Sequence, residues 1–202
     1  MKQSERIPTL EVYNPLDIIH LGESVMSELL RTPLKRLPPD SFYGAGVYAL
    51  YYFGNHPLYA SYGNDRPIYV GKAVPEGARK GDRISTGKQT AALYKRLREH
   101  YDSVLASQDL DERDFKFRCL AVDDIWIPLA ESLLIQRFRP VWNVALDGFG
   151  IHNPGSGRSN QKRSQWDTVH PGRKWCESLP ANNLSRDALV TRLRAFLSES
   201  ID

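Results

Sequence analysis

The sequence predicts an α+β fold in which helices flank a small central antiparallel sheet of three strands. Apolar and aromatic side chains alternate along residues 46–53, 67–73 and 115–122, which is the pattern of strands. Residues 89–106 and 128–139 instead carry apolar side chains at helical spacing. A chain of 202 residues, of which 41% are hydrophobic, can bury a core between such helices and the sheet.

The first two predicted strands contain mirrored tripeptides, Gly-Val-Tyr at residues 46–48 and Tyr-Val-Gly at residues 69–71. A connection rich in Gly, Pro, Asn and Asp joins the strands, so we expect them to pair as an antiparallel hairpin. In that pairing Tyr48 and Tyr69 can face the same side of the sheet. Each tyrosine alone would also fit an ordinary packing role.

The two predicted helices carry polar residues at informative positions. Arg96 and His100 lie one turn apart on the edge of the first apolar stripe, where the helix meets the sheet. The second helix begins at Pro128 and ends before Pro140. Its apolar face includes Glu131, and a carboxylate is costly there unless a cation pairs with it. An arginine such as Arg96 is one candidate for that cation.

Positive charge is concentrated in two segments. Residues 77–100 contain seven Lys and Arg residues against two acidic ones, a local charge of +5, and residues 151–175 contain five against one, a local charge of +4. Basic residues interleaved with polar and aromatic ones are typical of a surface that binds a nucleic-acid backbone. Charge alone leaves open a second interpretation, in which both segments are solvated loops.

The composition argues against a membrane protein or a secreted one. No apolar run approaches the about 18 residues that a membrane helix needs, and residues 1–20 lack the pattern of a signal peptide. Cys119 and Cys176 form neither a disulfide framework nor a metal motif. We therefore expect a cytoplasmic protein without a membrane partner.

In chain order the sequence presents the two tripeptides, Lys72 after the second one, Arg96 and His100 on one helix, Glu131 on the next, and Asn143 after it. This series resembles the GIY-YIG nuclease superfamily over about residues 44–145. Valine replaces isoleucine in both tripeptides, and the twenty residues 49–68 make a longer connection than the family usually has. The N-terminal arm, the position of His100 and the basic tail are similar to the type II restriction endonucleases of this superfamily that cut the palindrome CCGCGG.

The resemblance implies three regions. Residues 1–43 are an N-terminal helical arm and the predicted dimer interface. Residues 44–147 are the GIY-YIG catalytic core, into which residues 74–90 insert a basic loop. Residues 148–202 are a basic DNA-recognition loop followed by a C-terminal helix.

The implied activity is hydrolysis of DNA phosphodiester bonds at a short, GC-rich palindrome, as part of a restriction–modification system. The resemblance implies one Mg²⁺ ion per active site, held by Glu131, with Mn²⁺ able to substitute and without an organic cofactor. A palindrome cut on both strands by a chain with one active site implies a homodimer on double-stranded DNA.

Chemical roles follow from what phosphodiester hydrolysis needs. We expect Tyr48 to activate the attacking water and His100 to take the phenolic proton, because a free phenol with a pKa near 10 is a weak base at neutral pH. Tyr69 would orient the water or the phosphate, and the roles of the two tyrosines can be exchanged. Arg96 would stabilise the charge of the transition state.

The remaining candidates are expected to hold DNA or to shape the site. Lys72 would hold the phosphate or lower the pKa of a tyrosine, and Asn143 would tie the loop after the glutamate helix to the site. Because arginine commonly reads guanine through two hydrogen bonds, the expected base readers are Arg158, Asn160, Gln161, Arg163 and Arg173. Phosphate contacts are expected from Lys162, Lys174, Arg79, Lys80 and Arg83.

Other interpretations stay open. The same core is compatible with a repair or mobile-element nuclease that nicks structured or damaged DNA, and with a DNA-binding module that has no activity. His152, Asn160 and His170 loosely resemble the site of an HNH nuclease. No helix carrying the last histidine and no Cys pairs accompany them, which argues against that third interpretation.

Overall fold

The computed structural model describes residues 14, 17–75, 90–151 and 161–199, with helices on both sides of one sheet. The helices of this part are α1 (Ile18–Arg31), α2 (Ala92–Ala106), α3 (Ile127–Phe138), α4 (Val141–Val144), α5 (Gln165–Val169), α6 (Lys174–Glu177) and α7 (Arg186–Glu199). The strands are β1 (Lys35–Arg36), β2 (Gly46–Tyr52), β3 (Tyr69–Ala73) and β4 (Phe115–Ala121). Among the described helices, none combines the length and the hydropathy that a transmembrane span requires.

The described sheet has four strands, in the order β1-β4-β2-β3, and not the predicted three. All neighbouring strands are antiparallel. The additional strand, β1, consists of two residues of the linker after α1 and pairs with Lys116 and Phe117 of β4. So short a strand leaves no alternating pattern in the sequence, which is why the prediction missed it.

Side chains of β2 alternate between two hydrophobic clusters. The even-numbered side chains face a cluster that α2, α4, α5 and α7 complete. The odd-numbered side chains face a cluster that α1 and α3 complete. The first cluster contains Trp142, Phe149 and Trp166, each at most 1% exposed, and burying a large apolar side chain contributes on the order of 3 kcal/mol. The sheet is therefore fixed between two layers of helices.

Helix α1 packs against α3 and β4. Asp17 caps this helix by accepting a hydrogen bond from the backbone N–H of Ile19 at 3.3 Å. Gly22 lies against Leu133 of α3, and a Cβ at position 22 would be 3.3 Å from Leu133 Cδ2, so the leucine would have to shift slightly. Ile18 and Ile19 remain 57% and 65% exposed. Helix α1 therefore covers part of the α3 side of the sheet and leaves two isoleucines exposed.

The segment predicted as a basic loop contains two short helices, α5 and α6. Ser164 caps α5 by accepting a hydrogen bond from the backbone N–H of Asp167. Trp166 and Val169 pack in the same cluster as α2 and β2. A Gly- and Ser-rich composition conceals this structure, because the contacts that stabilise it are made with residues distant in the sequence.

Candidate active site

Tyr48 and His100 form a buried pair. Tyr48 lies on β2, and His100 lies on the face of α2 that packs on the sheet. The Tyr48 hydroxyl and His100 Nε2 are 2.6 Å apart, and both residues are 0% exposed. The contact places a ring nitrogen of His100 within hydrogen-bond distance of the phenol, which is the geometry that proton transfer between them needs.

Tyr69 lies on the same face of the sheet as Tyr48. The hairpin pairs Tyr48 with Gly71 and Leu50 with Tyr69, and the centroids of the two phenol rings are 6.3 Å apart. Glycine is required at position 71 because a Cβ there would collide with the Tyr48 hydroxyl. The mirrored tripeptides therefore place two phenols on one face and clear space beside one of them.

Burial keeps both phenols protonated at neutral pH. Desolvation raises the pKa of Tyr48 well above its usual value of 10.0, and the neighbouring Tyr69 raises it further. Desolvation also raises the pKa of Tyr69, against the lowering effect of Arg96. Neither phenol is a base by itself, so proton transfer through Tyr48 depends on an acceptor such as His100.

Arg96 lies one turn before His100 and brings positive charge to the two phenols. Its guanidinium donates to Glu99 Oε2 at 3.0 Å and to the Gly150 carbonyl at 2.7 Å. Its charge lowers the pKa of both phenols, and 27% of its side chain is exposed. A guanidinium that two partners orient and that solvent still reaches can pair with a phosphate.

Glu131 pairs with Lys72 and not with Arg96. Lys72 Nζ donates to Glu131 Oε2 at 2.6 Å, and the two side chains are 37% and 20% exposed. Lys72 follows Gly71 on β3 and so points to the opposite face, where α3 presents Glu131. The carboxylate on the apolar face of α3 thus has the cation that its position demands.

The carboxylate of Glu131 fits a single hard divalent cation. Mg²⁺ prefers oxygen ligands, and it commonly keeps several waters and takes phosphate oxygens to complete its octahedral shell. Glu131 is partly exposed, so solvent and substrate can supply those ligands. An ion at this position would replace the Lys72 ammonium as the partner of Glu131 Oε2.

The candidate residues lie on the two faces of the sheet at the edge strand β3. Tyr69 and Lys72 belong to opposite faces of β3, and β3 lies at one end of the strand order. The negative charge of Glu131 raises the pKa of both phenols across this edge. The two phenols, Arg96, His100 and the Lys72–Glu131 pair therefore share one electrostatic environment although they come from both faces of the sheet.

Asn143 connects the chain after α3 to β3. Its side-chain amide accepts a hydrogen bond from the Val70 N–H at 2.8 Å and donates one to the Val70 carbonyl at 2.8 Å. Both bonds go to the backbone of the strand that carries Tyr69 and Lys72. The side chain is thus placed to hold β3 in position.

Residues 148–151, here called the roof segment, cover the buried pair. The ring of Phe149 stacks on His100 with a centroid distance of 4.6 Å and an interplanar angle of 16°. A Cβ at Gly150 would collide with the Tyr69 hydroxyl. The sequence carries no signal for this contact, because residues 148–151 begin a Gly-, Ser- and Asn-rich segment without helical or strand periodicity.

The residues predicted to contact DNA fall into three groups. Outside the described residues lie Arg79, Lys80, Arg83, Arg158 and Asn160. At least partly exposed are Gln161, Lys162, Arg163 and Lys174. Arg173 differs from the prediction, because it is 3% exposed and ion-paired with the buried Asp167. This internal pairing removes Arg173 from the base readers.

A second tyrosine–histidine pair lies apart from this site. The Tyr59 hydroxyl and His170 Nε2 are 2.6 Å apart, and His170 Nδ1 lies 3.0 Å from Asp109 Oδ1. The Tyr59 oxygen accepts a hydrogen bond from Trp142 Nε1 at 2.9 Å, and His56 Nε2 lies 3.5 Å from Asp109 Oδ2. We call these five residues the interior network. Sequence reasoning missed it because its partners are up to 111 positions apart.

His170, the last histidine of the HNH interpretation, belongs to the interior network. The ring of His170 is directed at Asp109 and Tyr59, while His152 and Asn160 lie outside the described residues. Burial would raise the pKa of Asp109, but hydrogen bonds from His170 and His56 outweigh that effect and lower it well below its usual range. The carboxylate therefore serves as a charged acceptor for two imidazoles.

His56, Asp109 and His170 also have the spacing of a metal site, with ligand atoms within 4.8 Å of one another. Hydrogen-bond polarity favours a different arrangement. The Leu58 N–H donates to His56 Nδ1 at 3.2 Å, so the proton of a neutral ring is on Nε2, facing Asp109. A histidine that binds a metal usually donates its other ring N–H to an acceptor. The contacts fit a hydrogen-bonded chain better than an ion.

Comparison with known proteins decides the family. A family model described as the Eco29kI GIY-YIG domain matches residues 40–197. The chain belongs to this family. As an Eco29kI-type GIY-YIG domain, it is a nuclease of the restriction-endonuclease branch, and the match includes α5, α6 and most of α7 as well as the core. No curated protein matches the chain.

Proposed function

We propose that the protein is a type II restriction endonuclease that hydrolyses double-stranded DNA at a short, GC-rich palindrome with Mg²⁺, in the cytoplasm. One arrangement supports the proposal: two phenols, a guanidinium and an imidazole lie on one face of the sheet at β3, and a carboxylate on the other face is near enough to raise the pKa of both phenols. These are the groups needed to deprotonate water and to stabilise charge on a phosphate. The family match supports the restriction branch.

The tyrosine–histidine pair takes the proton of the attacking water. Tyr69 is 9% exposed and Tyr48 is 0% exposed, so Tyr69 is nearer to solvent and orients the water or the phosphate. Tyr48 accepts the proton of the water while its own proton passes to His100 Nε2 across the 2.6 Å contact. The raised pKa of Tyr48 makes its phenolate a strong base once His100 holds the proton.

Positive groups on both sides of β3 stabilise the charge of the transition state. Arg96 pairs with the phosphate oxygens through its exposed N–H groups. A Mg²⁺ ion bound at Glu131 would polarise the phosphate and stabilise the leaving oxygen. Lys72, beside Glu131, holds a further phosphate oxygen, and Asn143 keeps β3 in register with these groups.

Among the described tail residues, Gln161, Lys162, Arg163 and Lys174 are the proposed DNA contacts.

Cleavage of both strands of a palindrome requires a second active site, so we propose a two-fold homodimer. Ile18 and Ile19 line a groove of about 390 Å³ between α1 and α3, together with Met26 and Leu133. An isologous contact through α1 would cover these apolar side chains. Sedimentation of the full chain tests the proposal, since a monomer at micromolar concentration, with or without DNA, would contradict it.

Digestion of plasmid DNA with Mg²⁺, followed by sequencing of the ends, tests the proposed function. One short palindromic junction supports it. Nicks at structured or damaged positions would favour a repair or mobile-element nuclease. DNA binding without cleavage, in Mg²⁺ and in Mn²⁺, would favour an inert DNA-binding module.

A further inference from the structure

We infer that Arg173 and Phe149 are positioning residues of the active site, because Arg173 holds the roof segment that orients Arg96 and the ring of His100. The inference rests on the proposed function and assigns a catalytic task to a region that the sequence suggested only for DNA recognition. Neither residue would touch the substrate, so each acts through a second side chain.

Arg173 binds the backbone of the roof segment. Its Nη1 donates to the carbonyls of Ile151 at 2.7 Å and Phe149 at 3.2 Å, and its Nη2 donates to the carbonyl of Gly148 at 3.2 Å. Three carbonyls of a four-residue segment thus converge on one guanidinium. Lysine cannot reproduce this contact, because only guanidinium holds its donors in a rigid plane.

Asp167 fixes the same guanidinium from another side. Arg173 Nε donates to Asp167 Oδ1 at 2.5 Å, and Nη2 donates to Oδ2 at 2.6 Å. Asp167 is 2% exposed, and its Oδ2 also accepts from the Ser164 hydroxyl at 2.6 Å. Burying two charges gives little net stability even when they are well bonded. The forked geometry instead defines the orientation of the guanidinium.

The roof segment passes this orientation to two catalytic groups. The one carbonyl of the segment that Arg173 does not bind, that of Gly150, accepts from Arg96 Nη2 at 2.7 Å. Arg173 binds the carbonyl of Phe149 and that of the preceding residue, and the ring of Phe149 stacks on His100. Both the group that would stabilise the phosphate and the group that would accept the proton are therefore set by one buried arginine.

A matched pair of phenylalanine variants tests the inference. Unlike a change at Arg173, these variants do not leave the buried carboxylate of Asp167 without its partner. Phe149→Leu removes the ring that stacks on His100. Phe115→Leu makes the same change in the same cluster, at a residue that is also 0% exposed but contacts Tyr52 and Trp142. Three quantities are compared: the single-turnover rate of plasmid cleavage in Mg²⁺, plasmid binding in EDTA, and thermal unfolding.

We expect Phe149→Leu to lower the cleavage rate by about 10- to 100-fold, because misplaced catalytic groups lose rate steeply. Plasmid binding should stay unchanged, and Phe115→Leu should lose similar thermal stability while keeping its rate. Arg173→Lys should reproduce the rate loss, with Arg186→Lys as its control, since Arg186 donates to the Val169 carbonyl of the same region at 3.3 Å.

Three results would overturn the inference. The first is a wild-type rate in folded Phe149→Leu and Arg173→Lys, and if Arg173→Lys does not fold, Phe149→Leu decides alone. The second is a loss of plasmid binding as large as the loss of rate, which would return Arg173 to DNA recognition. The third is a wild-type protein that leaves plasmid DNA intact, which overturns the proposed function itself and with it this inference.

Discussion

Two tyrosine–histidine pairs among the described residues share one contact and differ in their surroundings. Tyr48–His100 and Tyr59–His170 each have a hydroxyl 2.6 Å from Nε2. The four residues are all at most 2% exposed. A pair of this kind is therefore insufficient to define an active site.

The neighbours of each pair separate a reactive arrangement from a structural one. Around Tyr59–His170 stand Trp142, which donates to the phenol, and Asp109, which faces the imidazole. Around Tyr48–His100 stand a second phenol and a partly exposed cation, and a partly exposed carboxylate lies across the β3 edge. A partly exposed carboxylate does not separate the two pairs, since Asp109 is 26% exposed and Glu131 is 20% exposed. We infer that reactivity comes from the second phenol and the guanidinium beside Tyr48–His100, and that Tyr59–His170 stabilises the fold.

The largest expected effect comes from the carboxylate that is proposed to bind the metal ion beside the first pair. Glu131→Gln keeps the size of the side chain but replaces the proposed metal-binding carboxylate. Cleavage should fall by about 10³-fold or more, because the charge that a bound ion supplies is lost. Plasmid cleavage and plasmid binding are measured together, with Glu112→Gln in the 3-10 helix before β4 as the control. Full activity in Glu131→Gln would remove Glu131 from the metal site.

Exchanging each histidine for glutamine separates the two pairs directly. His100→Gln should lower the single-turnover rate by about 100-fold or more, because the phenolic proton loses its acceptor. His170→Gln should leave the rate of the folded enzyme unchanged and lower the free energy of unfolding by about 1–3 kcal/mol, since Tyr59 and Asp109 lose a partner. Urea unfolding gives the second quantity. A wild-type rate in His100→Gln would make its contact with Tyr48 structural as well.

The smallest expected effect is the acid sensitivity of the interior network. Burial lowers the pKa of His170 below its usual 6.5, against the raising effect of Asp109. The unfolded chain therefore binds a proton that the folded chain does not, and stability falls as pH decreases below about 6.5. The slope approaches about 1.4 kcal/mol per pH unit. Urea unfolding at pH 7.5 and 5.5 should show a smaller loss for His170→Gln, and an equal loss would contradict a neutral, buried His170.

Sequence patterns predicted the parts of the site that depend on local periodicity. Alternation gave the shared face of Tyr48 and Tyr69, and helical spacing placed Arg96 beside His100 and Glu131 on a buried face. The carbonyl that orients Arg96 is 54 positions away, and the partners of the interior network are 61 and 111 positions apart. Contacts over such separations leave no periodic signal, because only the folded chain brings them together.

At Arg173 the sequence pattern predicted an exposed DNA contact that the structure does not have. Its basic, Gly- and Ser-rich surroundings suggest an exposed DNA contact, and a charged residue in such a segment is usually exposed. Arg173 is instead buried, because it is paired with the carboxylate of Asp167, only six positions earlier. A local charge count cannot distinguish these outcomes, because it does not include the packing of α5 against α7 and the buried cluster.

Single-turnover cleavage of plasmid DNA by Tyr48→Phe and Tyr59→Phe tests the distinction between the two pairs most directly. Each substitution removes one hydroxyl that lies 2.6 Å from a histidine nitrogen. We expect Tyr48→Phe to cleave about 10²- to 10³-fold more slowly than the wild-type enzyme, and folded Tyr59→Phe to cleave at the wild-type rate. Equal rates in the two variants, or a slower Tyr59→Phe, would contradict the assignment of the active site to Tyr48 and His100.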